Sequence, residues 1–157
     1  MHAFEGVTAM IYVVAISEYD QVLYEDSTTN RIEEAVKLFD EVANSQWFLK
    51  TNIILFLNKN DLFVEKLPKS PLRVPGVRND TFKGPYAEDP GANLKLCIEA
   101  AHEYFIRLFS VKLRDSRQVY SHVTEATDTQ QINHVLNSCK DIILRGNLQN
   151  SGFMDAS

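Results

Sequence analysis

The chain has 157 residues, enough for one domain with a sizeable core. Its 45% hydrophobic and 24% charged residues are those of an ordinary globular protein. A formal net charge of -5, with no cluster of Lys and Arg to offset it, excludes a nucleic-acid-binding surface.

"VTAMIYVVAI" (7–16) is β-branched and apolar on both alternations, which predicts a strand covered on both faces. It is too short to span a bilayer, and without a basic n-region or a small-residue cleavage site it does not read as a signal sequence. The sequence has neither a Met-Gly myristoylation start nor a C-terminal prenylation box. Ile32, Ala35, Val36, Phe39 and Val42 recur at helical spacing, and Asn30 with Glu33 forms a capping box at the start of that helix. "NIILFLN" (52–58) is a second strand with no polar alternation. Residues 67–91 hold all five prolines and read as a long surface loop.

Beyond it, Leu94, Cys97, Ile98, Ala101, Tyr104, Phe105 and Leu108 form one broad helical face. "QVYSHVT" (118–124) is a third, weaker strand. Ile132, Val135, Leu136, Cys139, Ile142 and Ile143 form a last helix, with Thr127 and Gln130 at its start and Gly146 at its end. Cys97 and Cys139 fall on apolar faces, which makes them core residues, and two such cysteines suit a reducing, cytoplasmic setting. The four histidines have no partners at metal-ligand spacing, and no Ser or Cys has a nucleophile motif around it.

The predicted order is β-α-β-loop-α-β-α, an α/β fold with a parallel sheet and helical crossovers. In such folds ligands bind at the carboxyl ends of the strands. Two polar segments fall there: Asn58-Lys59-Asn60-Asp61 after the second strand and Thr124-Glu125-Ala126-Thr127 after the third. The Asp61 carboxylate can accept two parallel hydrogen bonds from guanine, whose ring N1–H and exocyclic amine lie side by side. Adenine would face it with an acceptor, a mismatch worth about 10⁴-fold or more in such sites. Lys59 can lay its aliphatic stem along the base plane, Asn58 can tie its loop to a neighbour, and the Ala126 N–H can donate to the guanine carbonyl oxygen. A polar cluster after a strand is more often a simple turn, and Asn-Lys-x-Asp arises by chance in roughly one chain in fifty of this length. The matching second loop is what lifts the cluster above that reading.

These segments resemble the carboxy-terminal half of a heterotrimeric G-protein alpha subunit. "HAFEGVTAMIYVVAISEYDQVLYEDSTTNRIEEAVKLFDEVANSQWF" resembles that family's fourth strand, third switch loop and next helix, and "TNIILFLNKNDLFVEKL" its guanine-recognition strand and loop. "VYSHVTEATDTQQINHVLNSCKDIILRGNL" resembles the last strand, second guanine loop and C-terminal helix. The resemblance implies a partial Ras-like P-loop GTPase fold, three parallel strands flanked by helices, with the N-terminal half of the fold absent. Residues 1–148 would form that half-domain and 149–157 a flexible tail. Asn58, Lys59, Asp61 and Ala126 would contact guanine, with GTP or GDP as ligand. Residues 18–31 would be the third switch, whose Glu18, Asp20, Glu25 and Asp26 read from sequence alone as a solvated acidic loop. Residues 33–47 would face an effector, and the last helix a G-protein-coupled receptor. A beta-gamma dimer is the further partner implied, and the inner face of the plasma membrane the location, with the N-terminal lipid anchor outside this chain.

The departures from the family pattern set what is expected of the chain. None of its residues forms G-x-x-x-x-G-K-[ST], D-x-x-G with its glutamine, or the first switch that supplies arginine and threonine. The family hydrolyses GTP with Mg²⁺, yet ligands for that ion and catalytic residues are not found in this sequence, so turnover by the chain alone is not expected. Both a truncated product and an incomplete gene model fit. Glu125 stands where the family carries cysteine, and Ser151 where a near-terminal cysteine is usual. A catalytically inactive module binding receptor or effector is the alternative function. A Rossmann-like enzyme is a third, and no glycine-rich strand–helix turn supports it.

Overall fold

Ile53, Ile54, Leu55, Phe56 and Leu57 present apolar side chains to both sides of any strand they form, so that strand is stable only between two covering layers. A computed structural model describes residues 9–74 and 82–125 and positions 130, 133, 134, 136, 137 and 140. In it these five residues are at most 5% exposed. They belong to β2 (Asn52–Asn58), the middle strand of a three-stranded sheet. β1 (Ala9–Ala15) and β3 (Val119–Val123) pair with it in parallel on either side, with Ala9 opposite Asn52 and Ile53 opposite Val119.

The crossovers are α1 (Arg31–Ala43) between β1 and β2, and α2 (Asn60–Lys66) with α3 (Leu94–Ser110) between β2 and β3. Sheet order β1-β2-β3 follows chain order without reversal. Right-handed connections of that kind place both crossovers on one face. One main core results: Val36 and Phe39 of α1 and Ala101, Phe105 and Phe109 of α3 pack with Ile53, Leu55 and Leu57. Tyr12 of β1 reaches into it, edge-on to Phe39 at 5.2 Å, and its hydroxyl donates to Ala35 O at 2.7 Å. The opposite face of β2 carries Ile54 and Phe56, which pack against Ala9, Tyr120 and Leu136.

β2 therefore has the two-sided cover its sequence predicts, but β1 does not. Met10 and Val14 are buried, whereas Ile11 is 45% and Val13 56% exposed. β1 lies at the sheet edge, both crossovers lie on its other face, and among the described residues Leu136 packs against Ile54 and Phe56 of β2. A second difference is α2, a seven-residue helix that starts inside the polar cluster, for which the sequence analysis gave no helix. The predicted loop over 67–91 holds no α-helix or strand among its described residues, and a 3₁₀ turn (Pro90–Asn93) leads into α3. The predicted last helix is helical at each of its described positions, while Cys139 and Gly146 lie outside the described residues.

Asn30 caps α1 as predicted: its Oδ1 accepts from Ile32 N at 2.8 Å and Glu33 N at 3.3 Å. It is buried, and its Nδ2 donates to Tyr19 O at 2.7 Å, so one side chain joins the helix to the turn after β1. Asn30→Ala should lower the unfolding free energy by about 1–2 kcal/mol in urea titrations. Asn30→Asp keeps the cap but sets a buried carboxylate oxygen against Tyr19 O, and should be destabilised at least as much as Asn30→Ala.

Candidate functional site

At Asn58 the apolar strand ends, and the backbone turns within one residue. Lys59 adopts φ 60 and ψ 35, a left-handed conformation that costs a non-glycine residue about 1–2 kcal/mol. Such geometry persists only where its surroundings hold it. Here the Lys59 carbonyl accepts from Phe63 N at 3.0 Å in the first turn of α2, and Asn60 N donates to Thr124 O at 3.1 Å. Phe63 anchors that turn in the core, edge-on to Tyr19 and Phe105 at 5.6 Å each.

Thr124 is the meeting point of the two predicted loops. Its N–H donates to Leu57 O at 2.9 Å, extending the sheet ladder beyond β3. Its Oγ1 donates to Asn58 Oδ1 at 3.0 Å, and it is 1% exposed. The segments that follow β2 and β3 thus lie side by side at the carboxyl end of the sheet. Asn58 and Lys59 are half-buried there, and Asp61 is exposed in the first turn of α2. Glu125 is half-buried beside Thr124, and Ala126 lies outside the described residues.

A third segment joins from below. Glu18, in the 3₁₀ turn Ile16–Glu18 after β1, brings one carboxylate oxygen within 3.5 Å of Lys59 Nζ and 3.3 Å of Arg31 Nη1. Asp20 pairs with Lys66 of α2 at 2.9 Å, and the same ammonium donates to Ser17 O at 2.7 Å. Glu18 and Asp20 are therefore partnered, where sequence alone reads a solvated acidic loop. A cleft of about 390 Å³ opens between this turn and α2, lined by Ser17, Glu18, Gln21, Lys59, Leu62 and Lys66 among others. Neither Asp61 nor Thr124 is among its described lining residues. No group of three or more metal-ligating side chains occurs among the described residues.

Further along, Asp26 folds the loop before α1. Its carboxylate accepts from Thr28 Oγ1 at 2.6 Å, Thr29 Oγ1 at 2.7 Å and Thr28 N at 2.9 Å, which holds its pKa down to about 2. His102, which by sequence is an ordinary helical histidine without metal-ligand spacing, has a role visible only in the tertiary contact: its Nε2 is 2.7 Å from Asn60 Oδ1.

A parallel sheet flanked by helices, with two adjoining polar loops at its carboxyl end, defines an α/β protein with a partial Ras-like GTPase fold. A family model described as "G-protein alpha subunit" matches residues 1–143, and the chain belongs to that family. It is 47% identical over 155 residues to the guanine nucleotide-binding protein alpha-1 subunit of Mycosarcoma maydis, covering 98% of this chain and 40% of that protein. The guanine nucleotide-binding protein alpha subunits of Cochliobolus heterostrophus and Coprinellus congregatus are each 46% identical, over 156 and 157 residues, with the same coverage. The chain thus spans about 40% of the length of these curated relatives.

The Asp26 turn has a pH window set by the sign of its shift. A carboxyl lowered from 3.8 to about 2 favours the folded turn fully above about pH 4 and loses that contribution as pH falls toward 2. Hydrogen-exchange protection of the Thr28 amide should therefore hold from neutral pH down to about 4 and fall below it. In Asp26→Asn, protection should be weaker throughout and show no such step.

Proposed function

We propose that this chain is a guanine-nucleotide-binding segment of a G-protein alpha subunit acting in receptor-coupled signal transduction. The observation that carries the proposal is the hydrogen-bonded junction of the two loops, Thr124 Oγ1 to Asn58 Oδ1 and Asn60 N to Thr124 O. In this reading Asp61 accepts from the guanine N1–H and exocyclic amine, and Lys59 covers the base with its stem. Asn58 holds the loops together, and the Ala126 N–H donates to the carbonyl oxygen. Family membership and the names of the relatives support guanine as the base. Glu125 opposes tight binding, since a second carboxylate beside the carbonyl oxygen repels it.

Phosphate and Mg²⁺ contacts depend on motifs that these residues do not supply, so the chain alone recognises the base and does not turn GTP over. An arginine of the kind the family uses is itself worth about 10³–10⁵ in rate. By kinship the partners are a beta-gamma dimer, a receptor and an effector, at the cytoplasmic face of the plasma membrane. The second reading, an interaction module without nucleotide, is favoured by Leu38, Trp47 and Leu49, which are 49%, 40% and 48% exposed along and after α1.

Titration with a fluorescent GDP should give saturable binding that GDP competes away and ADP does not. Asp61→Ala should weaken it at least tenfold. Binding that Asp61→Ala leaves unchanged overturns the role of Asp61 at the base, and no binding at all leaves the interaction module. A phosphate-release assay should show no turnover; turnover lost in Asp61→Asn would overturn the inactive assignment.

A further inference from the structure

Asn60 stands between the two side chains assigned to the base, Lys59 and Asp61, and nothing in the motif specifies its role. Its backbone N–H is committed to Thr124 O at 3.1 Å, so the position of its side chain is the one freedom left to this residue. That side chain is held from a different element. His102, two turns into α3, brings Nε2 to 2.7 Å from Asn60 Oδ1, and its ring lies 6.0 Å from that of Phe63 at 37°. Phe63 is fully buried and its N–H bonds the carbonyl of left-handed Lys59. The imidazole therefore meets both Asn60, which follows the strained position directly, and Phe63, which bonds its carbonyl.

We propose that His102 is a positioning residue for the guanine-facing loop, holding Asn60, and through it Lys59 and Asp61, in the conformation that meets the base. This rests on the guanine-site reading above. Hydrophobic packing around β2 locates the strand end to within a hydrogen bond, but a left-handed lysine relaxes readily unless its neighbours are pinned. Thr124 pins the loop from the sheet side through the backbone, and His102 pins it from the helix side through a side chain. Burial keeps the His102 pKa low, with Glu99 opposing, so the ring is neutral at neutral pH. In the neutral tautomer with its proton on Nε2, the ring donates and Asn60 Oδ1 accepts. A half-buried amide oxygen that loses this donor is left short of a partner, a loss that shifts local equilibria by a factor of about three to ten.

Two measurements on the full chain test the assignment. His102→Leu keeps bulk and removes the donor, while His102→Gln retains an N–H donor at similar reach. Amide hydrogen exchange without nucleotide should rise about three- to tenfold at residues 59–61 in His102→Leu and return toward wild type in His102→Gln. Fluorescent GDP affinity should follow the same order, weakened about three- to tenfold in the Leu variant and restored in the Gln variant. Unchanged exchange in His102→Leu, or an equal rise in both variants, overturns the positioning role whatever the nucleotide result. Exchange that moves as expected in a protein that binds no GDP leaves His102 as the loop's anchor and overturns the guanine reading instead, together with the claim that the anchoring serves a base.

Discussion

Burial of β2 on both faces is the constraint from which the rest of the structure follows. Ile53, Leu55 and Leu57 enter the main core with α1 and α3, and Ile54 and Phe56 face Tyr120 and Leu136. Each such side chain removed from water contributes about 1.5–3 kcal/mol, so the strand has little freedom to shift along its neighbours. A one-residue slip would exchange the two faces and set the larger core cluster against the smaller one. The strand is also bonded on both edges, to β1 and β3. Its carboxyl end is thereby placed with the accuracy of the core.

That accuracy matters because the chemistry begins where the apolar residues stop. Thr124 continues the ladder from β3 and meets Asn58 and Asn60 at the same level of the sheet. The junction turns two distant stretches of sequence, 58–61 and 124–125, into one surface. A third stretch arrives through electrostatics: Glu18 reaches Lys59 from the turn after β1 and shares its oxygen with Arg31 at the start of α1. These pairs are partly exposed, and each is worth little to global stability. Their consequence is geometric, since the loop between β1 and α1 now has a contact with the lysine of the other loop.

The edge of the sheet shows the other side of the same topology. With both crossovers on one face, the described residues on the opposite face include Leu136, which packs against Ile54 and Phe56, while Ile11 and Val13 are exposed. An edge strand with exposed apolar side chains readily pairs with further polypeptide.

Much of this was legible in the residues. The unbroken apolar run at 53–57 demanded a two-sided strand, and Asn30 marked the start of α1. The spacing of Cys97, Ala101, Tyr104, Phe105 and Leu108 gave the buried face of α3, all five being at most 2% exposed. The polar segments at 58–61 and after Thr124 could be assigned to strand ends because chain order and strand type imply a parallel sheet. Periodicity reports only what an element prefers to bury, so it could not say that β1 would be an edge with one bare face. Nor could it show a seven-residue helix beginning at Asn60, too short to display a repeat. The partners of Glu18 and His102 were invisible for the same reason: a hydrogen bond or ion pair between residues some forty positions apart, as for His102 and Asn60, is fixed by packing and not by local sequence. Which strand is buried and where its polar end falls follow from the residue pattern alone; which side chains meet there follows from the folded sheet, which brings its loops within bonding distance.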